Sequence, residues 1–202
     1  MKRTVTTTGR GTVQVVPDAA VVTIGARHQA SGVAEACAGV DSAARSIGEV
    51  ARRHTDEARI SSTGLTVWPA HDRSGQPSGF EARHSLRIRV ADVTAAGRLL
   101  AELAEEVGDR LTIDGVSLTV SDPGPAAEAA REAAYADARE RAEALAALSD
   151  ASLGEVVTVV EDEPGFARPV ALAAGRAAKA DLAFEAGEQG VSATVRITWR
   201  LV

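Results

Sequence analysis

The stretch that most narrows what this chain can fold into is Gly9-Arg10-Gly11-Thr12-Val13-Gln14-Val15-Val16-Pro17-Asp18-Ala19-Ala20-Val21-Val22-Thr23-Ile24-Gly25. Val13 and Val15 alternate with Thr12 and Gln14, the two-residue period of a half-buried strand. Pro17 has no N–H to give to a ladder, so it marks the end of that strand or a bulge in it. Residues 19–28 then form a second extended run, rich in side chains that suit burial. Gly9-Arg10-Gly11 reads as a turn or bulge that breaks the β-branched run at 4–8 from the strand that follows.

Downstream, two periods alternate. Val33, Ala36, Cys37, Val40, Ala44, Ile47 and Ala51 recur at three- and four-residue steps and predict a helix over 32–54, with Ser31 as its N-cap. Residues 58–70 and 79–90 read as two strands around a polar hairpin tip. In the second, Phe80, Ala82, His84, Leu86, Ile88 and Val90 alternate with Glu81, Arg83, Ser85, Arg87 and Arg89, giving one apolar and one wet face. Asp92 predicts the cap of a helix over 92–107, closed by Gly108. A strand over 111–120 follows, kinked at Asp114-Gly115. After Pro123-Gly124-Pro125, an Ala-rich helix is predicted over 126–148. Tyr135, Ala138, Ala142, Leu145 and Leu148 are its expected buried stripe, and mixed charges cover the exposed arc. Val156–Val160 and the alternating run from Val191 are the last strands. Residues 162–188 form the loosest segment, with Pro164-Gly165 and Pro169, and read as a mobile arm.

Composition limits what such a fold can do. The 202 residues are 45% apolar but only 3% aromatic, so the core is built of small side chains that must pack closely. Net charge is −6, and Lys occurs only at Lys2 and Lys179. No Lys/Arg cluster is present of the kind that displaces phosphate counterions, which argues against nonspecific nucleic-acid binding. The densest basic patch, Arg52-Arg53-His54, falls at the end of a predicted helix, where cations suit the helix dipole. The single cysteine, Cys37, excludes an intrachain disulfide and a cysteine zinc cage, and reads as a buried small hydrophobe. No run approaches the length of a membrane span or of a signal peptide's apolar core. A cytoplasmic location is the expectation if Met1 is the native start, and a periplasmic or secreted one if a leader has been trimmed.

Five local patterns, taken in order, resemble the SIMPL-domain family over nearly the whole chain. They are Gly9 to Gly25 with Pro17-Asp18; Ile60-Ser61-Ser62-Thr63-Gly64-Leu65-Thr66-Val67 ending at Pro69; Gly79-Phe80-Glu81-Ala82-Arg83-His84-Ser85-Leu86; Ile113-Asp114-Gly115-Val116-Ser117-Leu118 with the helix that holds Ala133-Ala134-Tyr135-Ala136-Asp137-Ala138-Arg139; and Gly187-Glu188-Gln189-Gly190-Val191-Ser192-Ala193-Thr194-Val195. The resemblance implies an α+β fold. It also implies kinship with proteins associated with stress responses and signalling, some of which form ring-like or channel-like homo-oligomers. Many members look envelope-linked and carry a leader, which this chain does not show. The family has no established catalytic residues, so none carry over.

Searched for chemistry, the chain is quiet. Gly9-Arg10-Gly11 lacks the phosphate-loop pattern and leads into strands rather than a helix. Asp18 is expected to bracket the Pro-Asp corner. His28, His54, His71 and His84 show no metal-binding spacing, and His84 falls on the apolar face of its strand. Ser61-Ser62 sits in no nucleophile elbow. Glu161-Asp162-Glu163 lacks the spaced ligands of a calcium loop. No catalytic set, cofactor site or metal site is predicted.

The expected architecture is therefore α+β: one domain over 1–202, a mostly antiparallel sheet with long helices packed on it. Two functions are compatible with it. One is a non-enzymatic module that self-associates through sheet edges or the 162–188 arm. The other is a small-molecule binder or enzyme with a pocket lined by Trp68, His71, Phe80 and Trp199.

Overall fold

The computed structural model describes residues 3–161 and 184–202. The chain is α+β, as expected, but with two antiparallel sheets instead of one. The elements in order are β1 (Thr4–Val15), β2 (Ala19–Ala30), α1 (Val33–Ala51), β3 (Ile60–His71), β4 (Pro77–Val90), α2 (Val93–Val107), β5 (Leu111–Thr119), α3 (Gly124–Ala147), β6 (Leu153–Glu161) and β7 (Gln189–Leu201). Among the described residues they form two compact units. One holds 3–16, 122–161 and 187–202; the other holds 17–121 and 184–186. Most of the expected 162–188 arm lies outside the described residues.

The first unit is a three-stranded sheet in the order β1-β7-β6, with α3 lying along β1 and β7. The alternation read in the last strand holds: Val191, Ala193, Val195, Ile197 and Trp199 are buried. Strand β1 runs unbroken through Gly9-Arg10-Gly11, paired residue for residue with β7 and with no shift in register. The expected turn is therefore a strand segment. Its two glycines serve a different end, since a Cβ on Gly9 or Gly11 would overlap the α3 backbone at Ala134 or Ala130.

The buried stripe of α3 is accordingly Ala126, Ala130, Ala134, Ala138, Ala142 and Ala146, one residue in every four. Of the predicted stripe only Ala138 and Ala142 belong to it. Tyr135, Leu145 and Leu148 are exposed, because a helix seated on the backbone of β1 leaves room for nothing larger than a methyl group. The exposed arc carries the expected i,i+4 pairs, Arg139–Glu143 and Arg141–Asp137, each at 2.9 Å.

The second unit runs β2-α1-β3-β4-α2-β5, with the strands ordered β3-β4-β2-β5. This is the split β-α-β arrangement of ferredoxin-like folds. Val22, Ile24, Ala26, Ala82, Leu86, Ile88 and Val90 meet Val40, Ile47, Leu99, Leu100 and Leu103 of the two helices in one core. The Asp92 carboxylate caps α2 by accepting from the Thr94 N–H at 2.9 Å. Helix α1 starts from Gly32 instead of Ser31, whose hydroxyl bonds Glu35. Val33 lies off its buried stripe, and Cys37 is half-buried at the stripe's margin. At the far end of α1, Arg53 reaches Glu106 at 2.6 Å and His54 reaches Glu102 at 3.1 Å, so the basic patch ties α1 to α2. The neighbouring His54 holds the Glu102 carboxyl below its ordinary range. Strand β5 slips register against β2 around Asp114, as its Asp-Gly pair suggested.

Candidate functional site

Of the four residues expected to line one pocket, Trp199 belongs to the first unit and Trp68, His71 and Phe80 to the second. Trp199 is 2% exposed and belongs to the core of the first unit, beside Ile197 and beneath the alanines of α3. Trp68, His71 and Phe80 lie on the β3–β4 hairpin of the second unit. Within that hairpin Trp68 stands opposite Glu81, while Phe80 stands opposite Pro69. Adjacent positions on a strand face opposite ways. Phe80 turns to the helix side and packs against the core, whereas Trp68 is 39% exposed on the other side. His71 is exposed near the tip. Next to it the Asp72 carboxylate is occupied by the Ser74 N–H, the Ser74 hydroxyl and the Gln76 N–H, at 2.7–3.0 Å. Those donors hold its carboxyl below the ordinary range.

The other singled-out groups have structural partners. The Asp18 carboxylate accepts from both the N–H and the hydroxyl of Ser121, at 2.7 and 2.5 Å, and so ties the start of β2 to the chain just beyond β5. His28 lies flat against Gly39 of α1, where a Cβ would strike its ring. His84 Nε2 and the Ser62 hydroxyl are 2.8 Å apart, beside a groove of about 460 Å3 between α1 and the β3–β4 pair. A serine bonded to a histidine is one part of a nucleophilic site, but a base also needs an orienting partner. Among the described residues the His84 ring has only Ser62. Asp162 and Glu163 of the acidic trio lie outside the described residues, and Glu161 is paired with Arg131 at 2.8 Å. Among the described residues no group of three or more His, Cys, Asp or Glu could hold a metal ion, and no helix is long and apolar enough to cross a membrane.

Two surfaces remain that composition alone did not reveal. The first is the face of the four-stranded sheet turned away from α1 and α2. Here the wet side of β4, from Glu81 to Arg89, lies beside Val21, Thr23, Gly25, Arg27 and Gln29 of β2. Arg83 crosses β2 over Gly25 to pair with Asp114 of β5. The central strands carry hydroxyls and arginines here but no aromatic ring, so the stacking platform of RNA-binding sheets is missing.

The second surface is the edge strand β6. Helix α3 covers β1 and β7 but barely reaches β6. Val156 and Val159 on the helix side, and Val160 on the other, are exposed, as is Val157 at an irregularity between them. Tyr135 and Arg139 of α3 border the resulting cleft with Leu153, Val156 and Trp199. Both acids of the strand are engaged, Glu155 by Arg200 at 2.5 Å and Glu161 by Arg131. The run Val156–Val160 read as a strand in the sequence. Nothing in it told that the strand would be an edge.

These features define an α+β protein whose most distinctive surfaces are sheet edges and sheet faces. The chain belongs to the SIMPL family, described as proteins of unknown function (DUF541), whose family model matches residues 5–199. The match runs through both compact units. No curated protein matches the chain. Among solved structures, the de novo designed protein Foldit4 is similar at 20% identity and a TM-score of 0.31, covering 52% of this chain and 100% of that one. A hydantoinase/carbamoylase family amidase from Burkholderia ambifaria is similar at 12% identity and a TM-score of 0.27, over 52% of this chain and 28% of the amidase. An unknown protein from Galdieria sulphuraria is similar at 11% identity and a TM-score of 0.25, over 91% of this chain and 82% of that one. Likenesses this slight carry no argument about activity.

Proposed function

We propose that this protein is a non-enzymatic assembly module that associates with further copies of itself along β6. The observation that carries the reading is the exposure of Val156, Val157, Val159 and Val160 on a strand with no described neighbour on its outer side. Edge strands are ordinarily blunted by charge, proline or a covering element, because their free N–H and C=O groups pair readily with another chain. Strand β6 has no lysine and no proline, and its two acids are held by arginines. A second β6, antiparallel across a two-fold axis, would meet valines with valines and no free like charge. The three-stranded sheet would become six-stranded. An isologous contact of this kind is self-complementary and closes at two copies.

Light scattering behind size-exclusion chromatography tests the proposal on the full chain. The wild type is expected to run as an oligomer, and Val157→Lys with Val159→Lys is expected to reduce its mass. Loss of the oligomer with the melting transition retained supports the β6 contact. A monomeric wild type, or an unchanged mass in the double variant, rules it out.

A further inference from the structure

The second unit has a cleft of about 450 Å3 where β2, β4 and β5 end together. Arg89 of β4 and Arg59 of the short 3-10 turn before β3 both line it, with Thr119, Ser121, Val21 and Val90. Arg45, Arg52, Arg53 and Arg83 each hold a carboxylate closely. The Arg89 guanidinium has no acceptor among the described residues, and Arg59 has only Asp56 at the loose distance of 3.8 Å. Two positions before Arg89, on the same sheet face, Arg87 is also without one.

The backbones that carry the two side chains are tied by hydrogen bonds at this end of the sheet. The Thr55 hydroxyl donates to the Arg89 carbonyl at 2.7 Å, and the Arg59 N–H donates to the Asp56 carbonyl at 2.9 Å. The segment carrying Arg59 is thereby fixed beside the end of β4. The Asp18 carboxylate, bonded to Ser121 of the cleft lining, is already taken by both donors of that serine. Two guanidiniums in a small cleft with an apolar lining form a receptor for an oxyanion, because the planar Arg fork matches carboxylate and phosphate oxygens in pairs.

We propose that this cleft binds a small molecule by a carboxylate or phosphate group held between Arg59 and Arg89, with Val21, opposite Arg89 on β2, taking its apolar part. The site is separate from the β6 edge and does not depend on self-association.

The test is a thermal-shift titration of the full chain with inorganic phosphate and, in a second arm, with citrate. Sodium chloride holds ionic strength constant. Wild type is expected to show a saturable rise in melting temperature with at least one of the two. A response to phosphate alone identifies a phosphate-bearing ligand, to citrate alone a carboxylate-bearing one, and to both a general oxyanion site. Arg89→Gln and Arg59→Gln should each weaken apparent affinity at least tenfold. Arg27→Gln, further along the same sheet face, should leave it unchanged. The proposal is overturned if neither anion gives a saturable response beyond chloride. It is equally overturned if Arg27→Gln lowers affinity as much as the cleft variants, or if the cleft variants bind as wild type does. All three are substitutions of exposed or half-exposed side chains, and the unliganded melting temperature of each reports that the fold is kept.

Discussion

Gly9 of β1 and Ala134 of α3 meet backbone to backbone, with no space between them for a single methyl group on the glycine. Gly11 repeats the contact one helical turn away, where a Cβ would fall 2.6 Å from the Ala134 amide nitrogen and overlap the Ala130 carbonyl oxygen. The seam is also polar. The Thr7 hydroxyl donates to the Ala138 carbonyl at 2.6 Å, and the Asp137 carboxylate accepts from the Arg10 N–H at 2.9 Å. Close approach replaces bulk here: a helix that buries only methyl groups is held by contact with the strand and by these bonds.

Adding the missing methyl group should therefore be expensive. Gly9→Ala is expected to destabilise the protein by about 1–3 kcal/mol or more, the usual range for overpacking a tight contact. Gly64→Ala is the matched control, since a Cβ on that exposed strand glycine meets nothing within 4 Å. Urea unfolding of the two variants decides the point. Equal midpoints for Gly9→Ala and wild type would contradict the backbone contact.

Much of the fold was legible because most elements announce themselves by period. The wet and apolar faces of β4 and β7 and the Asp92 cap all follow from local pattern. The α3 stripe was not legible, since alanine gives no hydrophobic contrast and Tyr135 and Leu145 draw the eye instead. Its true partner, Gly9-Arg10-Gly11, lies more than a hundred residues away, and the meaning of each pattern depends on the other. The placement of the pocket candidates was hidden for a related reason. Trp68, Phe80 and Trp199 are all aromatic positions on strands, but sequence alone does not say which strands share a sheet. Arg89 of the sheet-end cleft was visible only as one of the alternating charges on β4, because ion pairing is decided by neighbours in space.

The two tryptophans provide a direct check on their burial. Trp199→Phe leaves only the half-exposed Trp68, and Trp68→Phe leaves only the buried Trp199. The Trp68→Phe protein should emit at shorter wavelength and resist acrylamide quenching, and the Trp199→Phe protein should be quenched readily. Trp199→Ala should cost about 3–5 kcal/mol, as large-to-small core changes do. Similar quenching of the two single-tryptophan proteins would place Trp199 outside the core.

The Asp18 bracket predicts a pH dependence. The Ser121 hydroxyl lowers the Asp18 carboxyl below its ordinary value, with help from the Ser121 N–H. Between the lowered folded value and the ordinary unfolded one, the unfolded chain binds more protons, so stability rises with pH across that interval. The contribution is complete above the unfolded value and is lost as pH falls through the folded one. Wild type should therefore exceed Asp18→Asn by a constant margin near neutral pH, and the margin should shrink in acid. Urea midpoints over an acid-to-neutral series test this, and a margin that does not change with pH would count against the bracket.

Arg83 and Asp114 face one another across β2 with about a third of each side chain exposed, at 31% and 30%. Their contact depends on Gly25, where a Cβ would lie 2.7 Å from the Thr112 hydroxyl and 3.0 Å from Arg83 Nε. The pair spans three strands, and Arg27 sits opposite Arg83 in the register, so Asp114 also relieves a like-charge contact. A double-mutant cycle of Arg83→Gln and Asp114→Asn should give a coupling toward the upper end of the 0.2–1 kcal/mol typical of such pairs, about 1 kcal/mol. Raising salt should weaken it, because solvent still reaches both groups. Replacing Gly25 by Ala should reduce the coupling measured in the same cycle, since the guanidinium must then leave its path over the strand. A coupling near zero in the wild-type background would show that the bridge contributes nothing to the fold, and an unchanged coupling in the Gly25→Ala background would show that its path does not run over that glycine.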